Sequence, residues 1–105
     1  MKNCIRIHES DNVATVLAHV DKGDELTILN SSMDKAGSIR AEEDIPFAHK
    51  IALREIGNQE NVVKYGERIG LATRFIPEGG YVHVHNVVSV EGAPVAQIIG
   101  RLGEL

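Results

Sequence analysis

Tyr81-Val82-His83-Val84-His85-Asn86 alternates ring-bearing side chains with valine, the period-two pattern of a β-strand and not of a helix. Side chains two positions apart on a strand stand ~6.6 Å apart at the backbone, so His83 and His85 share a face and can lean together. Two neutral imidazoles so placed are able to share one divalent metal or to work as acid and base. His83 and His85 are therefore candidates for catalysis or metal ligation, with a plain polar strand face as the equal alternative. Asn86 either offers its amide to a substrate hydroxyl or caps the strand end.

Working outward, Ile76-Pro77-Glu78-Gly79-Gly80 turns the chain into this strand. Residues 87–90 and 95–99 read as later strands. Upstream, residues 69–73 are short and rich in small residues, while residues 62–65 stopped by Gly66 and residues 47–56 with Ile51 and Leu53 alternating read as strands, the last with an uncertain register. Residues 4–7 and 25–29 make two more. A polar loop over 30–37 leads to a short strand at 38–40, and Ala41-Glu42-Glu43-Asp44 reads as a solvated turn. Ser10-Asp11-Asn12 supplies side-chain oxygens to cap a helix over 13–18 that ends near Lys22-Gly23. The sum is a β-rich α+β domain with one or two short helices, a single domain over residues 1–105.

Composition sets the limits on partners. The chain has 105 residues, enough for one aliphatic core, with 43% hydrophobic but only 4% aromatic residues. A net charge of −4 argues against a nucleic-acid partner, which needs a basic face, while leaving room for a small anion in a local basic pocket. Cys4 is the one cysteine, so no internal disulfide forms and a free structural thiol in a reducing cytoplasm is expected. No stretch approaches the ~20 apolar residues of a membrane span, and the N-terminus lacks the apolar run of a signal peptide. Phosphate-loop, dinucleotide and Cys-x-x-Cys metal motifs are absent.

Five further residues carry candidate chemistry. His8 sits at a strand end where a side chain can face a cleft, or is a plain exposed histidine near a helix start. His49 and Lys50 point to opposite faces if their segment is extended, so one of the two at most faces a given pocket, and a solvated lysine is the default for Lys50. Lys64 presents a cation to a substrate carboxylate, with Arg68 able to add a planar fork, or both are plain surface cations.

Taken in order, Ile7-His8-Glu9-Ser10-Asp11-Asn12-Val13-Ala14, Ile45-Pro46, His49-Lys50-Ile51-Ala52-Leu53, Val63-Lys64-Tyr65-Gly66, Ile69-Gly70, Ala72 and Val82-His83-Val84-His85-Asn86 form a specific set. It resembles the small or N-terminal domain of the altronate and galactarate dehydratase family, a β-clip domain of the SAF type, and is similar to the small subunit of sulfolactate sulfo-lyase. One departure is Ala48, where the family more often has glycine. The resemblance implies the small subunit of a dehydratase, working with a larger catalytic chain on a small anionic sugar acid, with sulfolactate as the alternative substrate. Self-association into a homo-oligomer is compatible with it. It implies elimination of water from an aldonate or aldarate assisted by a divalent metal, Fe2+ or Mn2+. His83, His85 and His49 would be catalytic, His83 and His85 metal ligands, and His8, Lys50, Lys64 and Asn86 substrate-binding. A non-catalytic SAF-type ligand-binding module and a purely structural domain are the rival readings.

Overall fold

The computed structural model describes residues 1–89. Nine strands follow one another: β1 Lys2–Ile5, β2 Val13–Val16, β3 Glu25–Leu29, β4 Lys35–Arg40, β5 Lys50–Ala52, β6 Asn61–Lys64, β7 Glu67–Ala72, β8 Tyr81–Val82 and β9 Val87–Ser89. Six form one sheet in the order β4-β3-β1-β2-β5-β8, and three form a second in the order β6-β7-β9. Every neighbouring pair is antiparallel except β1 with β3. The β-rich reading holds, and the strand read at 95–99 lies outside the described residues.

No helix is present among the described residues, and the expected helix over 13–18 is strand β2. The reason is where the capping oxygens go. Asp11 accepts hydrogen bonds from the backbone N–H of Tyr65 and Gly66, and Asn12 from that of Val63, all some fifty residues away in sequence. With the cap serving a distant turn, the β-branched run Val13-Ala14-Thr15-Val16 follows its strand preference.

Alternation along β2 and β5 decides where the core sits. Val13 pairs with Ala52 and Ala14 with Ile51. The first pair joins an apolar cluster with Ile56, Val62, Ile69, Ile76, Val82 and Val87, while the second joins another with Cys4, Val16, Val20, Leu26, Ile39 and Ile45. Both faces of these two strands are thus covered, which matches their near-continuous apolar sequence. Cys4 is fully buried and burial pushes its thiol up to about 12, as befits an inert core residue. Ala41, read as part of a solvated turn, is also buried, although the three acidic residues after it are exposed.

One turn conformation recurs four times without a recurring sequence. Val20, Ile45, Ile56 and Ile76 each form an isolated bridge, Val20 with Ile45 and Ile56 with Ile76. Three residues beyond each lies one with positive φ: Gly23, Ala48, Gln59 and Gly79. In each case the next N–H closes the turn onto the residue after the bridge, as when His49 N donates to Pro46 O at 3.1 Å and Gly80 N to Pro77 O at 2.9 Å. Positive φ at the third turn residue is the type II arrangement, which glycine adopts without strain.

This explains the Ala48 departure. Its φ of 72° costs an L-residue about 1–2 kcal/mol, partly offset because glycine loses more backbone entropy on folding. Ala48→Gly is expected to stabilise the domain by about 0.5–1 kcal/mol, raising the midpoint of thermal unfolding by about 4 °C. A lowered midpoint would contradict this account.

Candidate functional site

The histidine strand is shorter than its alternation implies. Strand β8 ends at Val82, and residues 83–86 turn. Asn86 causes the break: its Oδ1 accepts from His83 N at 3.0 Å, its Nδ2 donates to Tyr81 O at 2.8 Å, and its backbone N donates to His83 O at 3.1 Å. It is buried and works on the backbone, closing the turn that carries both histidines. His83 and His85 therefore do not share a strand face, and the metal pair expected from the alternation is not built that way.

His83 finds a different partner. Lys50 pairs with Val82 and Ile51 with Tyr81, so the antiparallel register carries His49 opposite His83. Their ring centroids are 4.4 Å apart. The Tyr81 hydroxyl lies 2.6 Å from His49 Nδ1, and the Tyr81 ring stacks on His83 at 5.8 Å with an interplanar angle of 11°. On the same tyrosine, the His85 ring sits 5.0 Å away. Four rings, His49, Tyr81, His83 and His85, thus form one cluster, in which His83 Nδ1 is buried without a hydrogen-bond partner. Three of the four were candidates from sequence. Tyr81 was not, although it shares the two-residue period with His83, and that period was the signal for it.

The electrostatics hold His49, Tyr81 and His85 uncharged. Burial, reinforced by His83 and the Lys50 ammonium, holds His49 below the usual imidazole range, and burial pushes the Tyr81 phenol up. Partial dehydration also lowers His85, helped by Arg74 and His83 and opposed by Glu43. His85 is exposed by area, so this dehydration reflects the packing of its ring on Tyr81 and is smaller than for a buried group. At neutral pH His49 and His85 are proton acceptors and Tyr81 is a donor.

His85 also lines a cleft of about 440 Å³ together with Glu42, Glu43, Arg74, Phe75 and Asn86. Arg74 Nη2 donates to His85 O at 3.0 Å, and Glu43 Oε2 accepts from Tyr81 N at 2.8 Å, so both charged residues are tied to the ring cluster. Neither was a candidate from sequence, since isolated surface charges carry no motif.

His8 belongs elsewhere. Its Nδ1 accepts from Ser10 N at 3.1 Å and lies 2.7 Å from Ser10 Oγ, and its ring covers Gly66 closely. Tyr65 and Gly66, with φ of 57° and 73°, make the two-residue turn between β6 and β7. The Asp11 carboxylate accepts from His8, Tyr65 and Gly66 N–H at 3.0, 3.0 and 2.8 Å. His8 faces a second cleft, of about 390 Å³, with Arg6, Glu9 and Asn30. Lys64 is 7% exposed, its ammonium 4.5 Å from the centre of the Tyr65 ring. Lys50 is 0% exposed, which corrects its solvated default. The sequence motifs thus separate into two places: a hub of residues 8–12 and 64–66, and the ring cluster.

A divalent transition metal takes four or more donors, of which a catalytic site supplies at least three from protein. Among the described residues no group of three or more His, Cys, Asp or Glu could hold a metal ion. The expected Fe2+ or Mn2+ therefore has no complete set of ligands in these residues. No helix among them is long and apolar enough to cross a membrane.

Comparison with known proteins agrees with this architecture. Residues 2–90 match the family model described as the altronate/galactarate dehydratase SAF domain. The chain is 41% identical over 86 residues to altronate dehydratase of Bacillus subtilis (strain 168), covering 82% of this chain and 16% of that protein. It is 34% identical over 96 residues to galactarate dehydratase (L-threo-forming) of Escherichia coli (strain K12), covering 87% and 16%. Against (2R)-sulfolactate sulfo-lyase subunit alpha of Chromohalobacter salexigens it is 34% identical over 83 residues, covering 77% of this chain and 88% of that subunit. The chain thus spans about a sixth of the dehydratases but most of the sulfo-lyase subunit. With the match extending from β1 through β9, this chain belongs to the SAF-domain family of altronate and galactarate dehydratases.

Proposed function

We propose that this SAF domain is the small component of a lyase that eliminates water from an aldonate or aldarate, in company with a larger catalytic chain. The His49–Tyr81–His83 ring cluster, with His49 held below the usual imidazole range, carries the reading. The match to a separately named sulfo-lyase subunit supports the two-chain form, and makes elimination of sulfite from sulfolactate the alternative.

Elimination from a 2,3-dihydroxy acid removes the proton beside the carboxylate and expels the hydroxyl at the next carbon as water. The resulting enol then tautomerises to a 2-keto-3-deoxy acid. The step needs a base that is unprotonated at neutral pH and a proton donor for the departing oxygen. His49 is held neutral and suits the first task, while the Tyr81 hydroxyl holds its proton and suits the second. His83 sets the position of both rings, and His85 stands at the cleft mouth as a second imidazole. Buried Lys50 adds positive potential behind His49, and Lys64, behind the hub turn, is placed to do the same for an anion bound near His8. A divalent iron or manganese ion would need most of its donors from the larger chain, with the imidazoles as this domain's contribution.

The test is to purify the chain with its larger partner and compare turnover of altronate, galactarate and sulfolactate. His49→Gln and His83→Gln are expected to lower turnover by about 10²–10⁴-fold with the assembly intact. The acid limb of the wild-type pH profile should lie below the ordinary imidazole value, because His49 resists protonation. Unchanged turnover in both variants would leave a ligand-binding or structural module and remove the catalytic assignment.

A further inference from the structure

The cleft beside the ring cluster holds charges of both signs that do not pair with each other. Arg74 uses one nitrogen on the His85 carbonyl, and among the described residues no carboxylate lies within ion-pair distance of it. Glu42 and Glu43 line the same cleft, and only one Glu43 oxygen is engaged, by Tyr81 N. Phe75, 55% exposed, adds an apolar wall.

Such a lining suits a molecule with one anionic end and a neutral hydroxylated body. The free edge of a guanidinium binds a carboxylate through paired hydrogen bonds. Carboxylate side chains accept hydrogen bonds from hydroxyls and repel a second negative charge. We propose that this cleft binds a polyhydroxylated monocarboxylate, its carboxylate on Arg74 and its hydroxyls toward Glu42 and Glu43, and that the two glutamates turn away dianions such as aldarates and sulfolactate. The inference rests on the sugar-acid reading above and narrows it to aldonates. The volume of about 440 Å³ falls in the range of small-molecule clefts.

D-gluconate and D-glucarate share a carbon skeleton and differ in the charge at the far end, so they are the probes. Each is titrated at neutral pH into the full, 15N-labelled chain, and amide shifts are followed. Gluconate is expected to move the amides of residues 74–76, 85 and 86, and to bind about tenfold more tightly than glucarate. Combining Glu42→Gln with Glu43→Gln should bring the two acids within about twofold, because glutamine keeps the acceptor oxygen and loses the charge. Arg74→Gln should abolish the shifts with both. Glucarate binding as tightly as gluconate, shifts centred on residues 6–9, or no shifts at all would each overturn the proposal. The lyase reading is judged separately by the turnover of His49→Gln and His83→Gln, so a loss of turnover there combined with a preference for glucarate here would retain the first and reject the second.

Discussion

Gly79→Ala is expected to destabilise the domain by about 3–5 kcal/mol, enough to unfold many domains of this size. Two costs combine. The φ of 84° at Gly79 is strained for any L-residue, by about 1–2 kcal/mol. A β-carbon there would also overlap the Arg40 carbonyl oxygen and crowd Glu42 Cγ at 3.2 Å. The backbone cannot step aside, because Gly79 N donates to Ala52 O at 2.8 Å and Gly79 O accepts from Glu42 N at 2.9 Å. Gly23 is the built-in control: it holds the same place in another of the four turns, with φ of 94°, but a β-carbon would meet only the tip of Arg40 at 3.9 Å. Gly23→Ala should therefore cost about 1–2 kcal/mol, the conformational part alone. Urea unfolding of the two variants decides the matter, and equal losses would refute the steric argument.

Asp11→Ala should cost about 3 kcal/mol. The side chain is 5% exposed and accepts three backbone N–H groups, those of His8, Tyr65 and Gly66. Alanine leaves all three without their acceptor, and losing hydrogen bonds to a charged group costs about 1.5–3 kcal/mol. Asp11→Asn retains one acceptor oxygen and should lose about half as much. Amide exchange at Tyr65 and Gly66 should accelerate in both variants in the same order. If Asp11→Ala unfolds at the wild-type denaturant concentration, the carboxylate is not the pin we describe.

The strands over 25–29 and 62–65 were legible because alternation and flanking turn residues agree there, and the structure places β3 and β6 within a residue of both. The two misread elements, the helix over 13–18 and the histidine strand, share one cause, which is a side chain bonded to a backbone beyond its own residue. Ser10-Asp11-Asn12 carries the composition of a helix cap, yet its oxygens serve Val63, Tyr65 and Gly66. Likewise the valines around His83 and His85 signal a strand, but Asn86 bends the chain by bonding His83 and Tyr81. For the site, the imidazoles were legible as residue types and their grouping was not. His49 meets His83 through the β5–β8 register, and no local pattern announces a register. Arg74 and Glu43 were invisible for the same reason.

The Asp11 hub also bears on how quickly the native state can be reached. Its carboxylate closes contacts across 54 and 55 residues, and Asn12 closes others across 49 and 51. Loop-closure entropy has to be met before such contacts return anything, so a topology dominated by them folds on the millisecond-to-second scale. During synthesis the first strands leave the ribosome well before the Tyr65-Gly66 turn exists, and until then β2 lacks the partner that covers one of its two apolar faces. Val13 thus stays uncovered on that face until the later strands are made.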